Sequence, residues 1–282
     1  MIAHLINTDV GNRGVTKLYL EYRTQNFNFL ENAAKTLLEN YERPLIVTGF
    51  PIPPTMVAET DGPPGAVVIY RAVEMLGGQA EVLTYPEVEK ALGPFGIQTA
   101  REPRIEEYSL VIAVETPGKA ADGRYYSMSG LEITRETFDW TVEEASELGI
   151  PTIGIGDGGN EAGMGKVHEL VKKYIPHGER IGSVVETDEL VLSAVSNWGA
   201  WGLVAEVSLL SGRPLLDGEG EREVLNALVR EGVIDGVSKR REPTVDGIPT
   251  EVYQAILQVI KSTTLLRLKQ NENWKNPKSI KA

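Results

Sequence analysis

Pro151-Thr-Ile-Gly-Ile-Gly-Asp-Gly-Gly-Asn-Glu-Ala-Gly-Met-Gly-Lys-Val167 is the stretch on which the fold assignment depends. Thr152 to Ile155 is a short apolar run, which predicts a buried strand. His168 to Tyr174 has helical spacing. Between them lies mostly glycine, with Asp157, Asn160 and Glu161. Glycine reaches φ > 0 and lets a backbone come close to something. A strand, a glycine loop and a helix N-terminus together offer free N–H groups and the positive end of a dipole. Asp157 and Glu161 put negative charge in the same place. The loop therefore suits a ligand of both signs, or a metal ion. The plainer alternative is a tight turn whose acids cap the helix, but a cap usually needs one residue.

Two nucleotide motifs fail on this stretch. Gly154-Ile-Gly-Asp-Gly-Gly159 fits G-x-G-x-x-G in form. A pyrophosphate there would meet the carboxylates of Asp157 and Glu161 and be repelled. Counting back from Gly165-Lys166 for a Walker A loop puts Asn160 at the first glycine, and Val167 follows the lysine. A nucleotide- or sugar-phosphate-binding enzyme is the runner-up.

Working outward, Pro44 to Thr48, Ala80 to Thr84, Ser109 to Val114, Ser183 to Val185 and Leu190 to Val195 predict further strands. Helices are expected over Phe27 to Leu38, Ala66 to Leu76, Glu87 to Leu92, from a cap at Thr134 to Leu148, and from Ser196 to Leu210. Beyond Glu221 the chain reads as helical, over Val224 to Val229 and Thr250 to Leu268, with a frayed polar end from Lys269. The alternation predicts an α/β fold: a mainly parallel, doubly wound, Rossmann-like sheet with helices on both faces and a helical C-terminal extension. The expected division is an α/β core over 1–216 and a helical subdomain over 217–282 packed on it.

In such sheets ligands bind beyond the carboxyl ends of the strands. Four loops dense in Gly, Asp, Glu, Asn and Pro follow strands: Gly49 to Pro64, Glu115 to Tyr126, Gly156 to Gly165 and Ser196 to Gly199. The loops at the other ends are short and plain. That asymmetry predicts one site, with Pro44–Thr48, Leu110–Val114 and Thr152–Ile155 ending on the same side of one sheet.

Composition narrows the chemistry. The chain has 282 residues, no cysteine and a net charge of −12. The acidic balance argues against nucleic acid, which needs a basic surface. No apolar run reaches the length of a membrane span. Met1 to Asn7 has no signal-peptide character, so the expected location is cytoplasmic. His4, His168 and His177 fall outside the four loops, which leaves a Ser-His-Asp triad or a His-rich zinc site without support. The loops carry Glu59, Asp61, Glu115, Asp122, Asp157 and Glu161. Clustered carboxylates work as acid and base when their pKa values are split, or they hold a hard cation. Half or more are expected to cap turns, Asp122 among them. Arg13, in the turn Asp9 to Gly14, could clamp a carboxylate, although a solvated arginine is the commoner case. Trp198 and Trp201 read as core.

The string Gly154 to Val167 resembles the signature of the D-glutamate cyclase family, in its C-terminal cyclase-like domain. So do Glu59-Thr-Asp-Gly-Pro63, Gly118-Lys-Ala-Ala-Asp-Gly-Arg-Tyr-Tyr126, Ser196-Asn-Trp-Gly199 and Thr244-Val-Asp-Gly247. The resemblance runs in order over nearly the whole chain; longer members carry an additional N-terminal domain. It implies a lyase that converts D-glutamate to 5-oxo-D-proline with loss of water, helped by a divalent cation, Mn2+ or Mg2+. Asp157, Glu161, Asp61 and Glu115 are the expected catalytic carboxylates, with Asp61 and Asp157 as the metal candidates. Gly158, Gly159, Asn160, Glu59, Gly62, Asn197 and Arg13 are expected to contact substrate. The partner would be a small amino acid, met by a monomer or a homo-oligomer. A non-catalytic protein holding a small anion is the third possibility.

Overall fold

A computed structural model describes residues 1–216 and 220–275. The N-terminal helices are α1 (Ile2–Leu5), α2 (Val15–Gln25) and α3 (Phe29–Glu39). Then come β1 (Pro44–Thr48), the small hairpin β2 (Pro51–Ile52) and β3 (Val57–Ala58), α4 (Pro63–Leu76), β4 (Glu81–Leu83), α5 (Pro86–Leu92) and β5 (Thr99–Ala100). The middle of the chain holds β6 (Leu110–Val114), a second hairpin of β7 (Tyr125–Tyr126) and β8 (Glu132–Ile133), α6 (Trp140–Leu148) and β9 (Thr152–Gly156). The remainder is α7 (His168–Tyr174), α8 (Gly178–Ile181), β10 (Glu189–Leu192), α9 (Ser196–Ser211), α10 (Glu221–Arg230) and α11 (Thr250–Lys275).

Six strands form one parallel sheet in the order β10-β9-β6-β1-β4-β5. Counted along the chain, this is the 3-2-1-4-5-6 order of a Rossmann fold, and the expected α/β architecture holds. Its winding reverses between β1 and β6. The central strands β1, β6 and β9 are buried along their whole length because both faces are covered. Ile46, Ile112, Ile153 and Ile155 face a layer containing α3, α4 and α9, while Leu45, Val47, Val111 and Ala113 face Val142 and Ala145 of α6. Strand alternation sorts the side chains between the two layers.

The C-terminal helices are tied to this body. α11 lies along α9, and Tyr253 stacks on Trp198 with ring centroids 5.9 Å apart. The buried Glu221 carboxylate accepts a hydrogen bond from Trp201 Nε1 at 3.0 Å and another from the Tyr253 hydroxyl. Trp198 and Trp201 are core residues, as expected. Among the described residues no helix is long and apolar enough to cross a membrane.

Four local expectations are corrected. Thr134 caps no helix, because α6 begins only at Trp140. Residues 134–139 are held by tertiary contacts instead: Arg135 pairs with Glu87 at 2.5 Å, and Phe138 packs on Tyr85. Ser183 to Val185 is not a sheet strand. Its backbone braces the glycine loop, through Ser183 N–H to Gly159 O and Gly163 N–H to Val185 O, both at 2.9 Å. The helix after the glycine string starts at His168, beyond a 3-10 turn over Gly165–Val167, so no α-helix N-terminus sits at Gly156 to Gly159. The end does not fray from Lys269, since α11 runs to Lys275; Asn276 to Ala282 lie outside the described residues.

Candidate active site

Two helix N-termini meet where the winding reverses, and each is capped by the other's loop. Asp61, just before α4, accepts the N–H groups of Ser196 and Asn197 at 2.8 Å each, closing the start of α9. Asn197 Oδ1 returns the contact, accepting Gly62 N–H at 3.0 Å and Gly65 N–H at 2.8 Å at the start of α4. Side-chain oxygens thereby satisfy donors that a buried helix end would leave unpaired. Asn197 Nδ2 also donates to Thr60 O at 3.2 Å. This reciprocal capping locks the loops after β1 and β10 together.

The glycine loop binds its own acid. Glu161 Oε1 accepts Gly158 N–H at 2.6 Å, and Oε2 accepts Gly159 N–H at 2.7 Å. The donors that could have cradled a phosphate or an oxyanion are therefore occupied, which explains why the G-x-G-x-x-G pattern is formal here. The loop folds back over β9 so closely that a Cβ on Gly154 would lie 2.8 Å from the Gly163 Cα. Only glycine permits that approach. Asn160 is buried and donates to Tyr126 O at 2.7 Å.

Arg13 enters this acidic place from the N-terminal segment. Asp9 accepts the N–H groups of Arg13 and Gly14, fixing the turn. The Arg13 guanidinium grips Asp157 with two bonds, at 2.7 and 3.1 Å, and shares Nη1 with Asp246. Its side chain is 17% exposed, so it is no solvated surface arginine. Glu115, at φ +44, stands in the left-handed region right after β6, and its Oε2 accepts the Ser196 hydroxyl at 2.5 Å. A non-glycine residue there is uncommon, and such strain concentrates at functional sites. Arg13, Glu59, Glu115, Asn160 and Asp246 face one cavity of about 360 Å³, with Phe50, Ile52 and Met128 as apolar wall.

Six carboxylates, Glu59, Asp61, Glu115, Asp157, Glu161 and Asp246, are thus buried around one guanidinium. Burial is the first cause that drives several of them toward the neutral form. It raises Glu59 well above the usual carboxylate range, with Asp246 and Asp61 adding repulsion. Glu115 rises through burial and then Glu161 and Asp157. Asp61 is pushed to about 8 by burial and Asp246, against the opposing N–H bonds from Asn197 and Ser196. Asp157 reaches about 8 because burial, Asp61 and Glu161 outweigh Arg13. Asp246 rises for the same reason, with Asp157 beside it. Glu59, Asp61, Glu115, Asp157 and Asp246 exchange protons as one group. It holds excess protons or attracts a cation.

The structure brings together the predicted catalytic and substrate-contacting residues, at different depths. Glu59, Glu115, Asn160 and Arg13 reach the cavity. Asp61, Asp157, Glu161, Gly62, Gly158, Gly159 and Asn197 make the layer behind it, with their polar atoms engaged as described. Asp122 holds its own turn by accepting Arg124 N–H, and His168 bonds Ser183 O, both structural roles. Sequence reasoning passed over Asp246, which lies far along the chain in what reads as a turn. The signal was available in Thr244-Val-Asp-Gly247. Nor did the sequence mark Gly236 or Lys239 as neighbours of the site.

Among the described residues, two groups of three carboxylates could ligate a hard cation, Asp61–Asp157–Asp246 and Glu115–Asp157–Glu161, with oxygens within 4.8 Å of one another in each. The donor chemistry suits Mn2+ or Mg2+. In the first group, Arg13 already bonds two of the three acids.

A family model described as D-glutamate cyclase-like, C-terminal, matches residues 2–261. Human mitochondrial D-glutamate cyclase is 32% identical over 243 residues, covering 73% of this chain and 38% of the human protein. The chain therefore spans less than half the length of that relative. Among solved structures, an exopolyphosphatase-related protein from Bacteroides fragilis aligns with a TM-score of 0.37 at 10% identity, over 85% of this chain and 59% of that chain. That likeness is too weak to say anything about function.

Proposed function

Because this chain belongs to the D-glutamate cyclase-like family, we propose that it closes D-glutamate into 5-oxo-D-proline with loss of water. The observation that carries this reading is the surplus of buried carboxylate around Arg13 at the switch point of the sheet. Such a place attracts an ammonium group and can take its proton.

Ring closure needs the α-amine free of a proton, the γ-carboxyl made electrophilic, and one oxygen lost as water. The ammonium carries three hydrogens and the lactam nitrogen keeps one, so the other two leave with that oxygen. The enzyme only relays protons. Glu59, buried and facing the cavity, receives the ammonium, whose charge holds it ionised, and its raised proton affinity then draws a proton from the nitrogen. Arg13 uses three donor contacts on Asp157 and Asp246, out of five N–H groups in a guanidinium. The remaining donors stabilise the oxyanion formed as nitrogen attacks. Glu115, held toward its neutral form, gives a proton to the departing oxygen. Asp157 fixes Arg13, and Asp61 and Asn197 fix the two helix ends behind them.

Where a divalent cation is bound, Glu115, Asp157 and Glu161 would hold it, and its positive charge would polarise the γ-carboxyl in place of the proton from Glu115. Phosphate ligands are disfavoured, because Glu161 occupies the loop donors.

The test is incubation of the purified protein with D-glutamate and, separately, L-glutamate, with and without Mn2+, followed by proton NMR. The expected result is 5-oxoproline from the D isomer. No product from either isomer under any of these conditions would overturn the reading.

A further inference from the structure

The loop Gly236 to Gly247 is built around Asp235. This fully buried carboxylate accepts Val237 N–H at 2.9 Å, Ser238 N–H at 2.7 Å, the Thr244 hydroxyl at 2.7 Å and Gly247 N–H at 2.8 Å. Both ends of the loop are pinned by one side chain. The loop delivers Asp246 to Arg13, and it also brings Gly236 and Lys239 to the cavity.

Glu59 and Lys239 flank Gly236 in opposite ways. A Cβ on Gly236 would fall 1.7 Å from Glu59 Oε2, so one carboxylate oxygen occupies the space where a side chain would begin. Glu59 is 6% exposed, and its carboxylate has no hydrogen-bond donor among the described residues. That carboxylate opens on the cavity, where a donor on a ligand can reach it. Lys239 sits at the exposed mouth, at φ +61, with its ammonium on the Gly236 carbonyl and on no carboxylate among the described residues. The cavity thus has inside it a carboxyl group with no donor, which an arriving cation would hold ionised, and, at its mouth, a cation not paired with any acid among the described residues. Arg13, its other cation, is committed to Asp157 and Asp246.

We propose that Glu59 and Lys239, set on either side of Gly236, form a dipolar clamp for an α-amino acid, Glu59 taking the ammonium and Lys239 the α-carboxylate. The inference rests on the cyclase reading and deepens it by orienting the substrate. The γ-carboxyl must meet the amine at Arg13. The α-carboxylate takes no part in closure and is left facing outward, where Lys239 lies. A ligand bound at both groups has its stereocentre fixed between them, so the clamp supplies a basis for choosing one isomer.

The test compares D-glutamate with 4-aminobutyrate, which is glutamate without its α-carboxylate. Binding is followed by saturation-transfer NMR and turnover by product signals, for the native protein, Lys239→Met and Lys239→Arg. A charge-assisted contact predicts that Lys239→Met weakens D-glutamate binding roughly 10–100-fold. The same substitution should change 4-aminobutyrate binding less than about twofold, and Lys239→Arg should restore much of the loss. Equal losses for both ligands, or no loss for D-glutamate in a protein that cyclises it, would overturn the clamp alone. A native protein that neither binds nor cyclises D-glutamate would overturn the cyclase reading and the clamp together.

Discussion

Asp157→Asn separates a residue that reacts from one that holds another in place. The carboxylate is 1% exposed and both its oxygens face Arg13, at 2.7 and 3.1 Å. An amide of the same shape can accept one of those bonds. Its NH2 group would confront a guanidinium N–H, so one charge-assisted bond is lost and Arg13 swings toward Asp246. Such a bond contributes about 1.5–3 kcal/mol, which is roughly 10–100-fold in a rate that depends on where Arg13 points. A proton-transfer role at Asp157 itself would remove more, on the order of 10²–10⁴. Stability moves the other way. Burial and the neighbouring acids hold Asp157 at about 8, so the ionised form is already disfavoured. A neutral amide relieves that repulsion, and the variant should melt no lower than the native protein at pH 8. The assay is D-glutamate turnover by NMR beside thermal unfolding followed by circular dichroism. The expected outcome is a folded protein with turnover reduced about 10–100-fold. Parental turnover would refute the positioning of Arg13 by Asp157; a loss beyond about 10³ would place chemistry on Asp157 directly.

Arg13→Met removes the guanidinium from between Asp157 and Asp246 and should destabilise by about 3–5 kcal/mol near pH 8, as for a broken buried pair. The loss should be smaller at pH 5, where the acids take up protons; equal losses in urea titrations at the two pH values would contradict this. Gly236→Ala pushes the Glu59 carboxylate off its backbone seat, so KM for D-glutamate should rise roughly 10–100-fold with little change in melting temperature. An unchanged KM would show that Glu59 is not at the substrate. The raised acids make a further prediction about pH. Below the ordinary carboxylate range near 4, folded and unfolded chains are equally protonated. As pH rises from there to about 8, the unfolded chain releases protons that the folded cluster keeps, so stability of the empty protein falls across this window. Bound D-glutamate or Mn2+ should accordingly raise the melting temperature more at pH 8 than at pH 5, and a pH-independent shift would count against the cluster as the cation site. If Glu115, Asp157 and Glu161 hold Mn2+, exhaustive chelation should abolish turnover and added Mn2+ restore it; full turnover after chelation would exclude the metal.

The α/β class, the strands at Pro44, Leu110 and Thr152, and the side of the sheet where the loops gather were legible in the sequence. They rest on local physics: apolar runs of strand length, helical spacing, and turn residues that follow strands. Asp61, Glu115, Asp157 and Glu161 were legible for the same reason, since each lies in a loop immediately after a strand. What a carboxylate touches was not legible. Glu161 bonds its own loop, Asp61 caps a helix 135 residues away, and Asp157 grips an arginine 144 residues away, because these partners are chosen by how the layers stack. Thr134 to Asp139 reads as helix locally, yet Arg135 and Phe138 are drawn off by Glu87 and Tyr85, and distant contacts outweigh a weak local preference. Asp246 reached the site only through the loop that Asp235 pins. Sequence periodicity reports which face of an element is apolar. The acid that meets Arg13 and the glycine that seats Glu59 are settled by closure of the whole chain, when groups far apart along it must share one desolvated space.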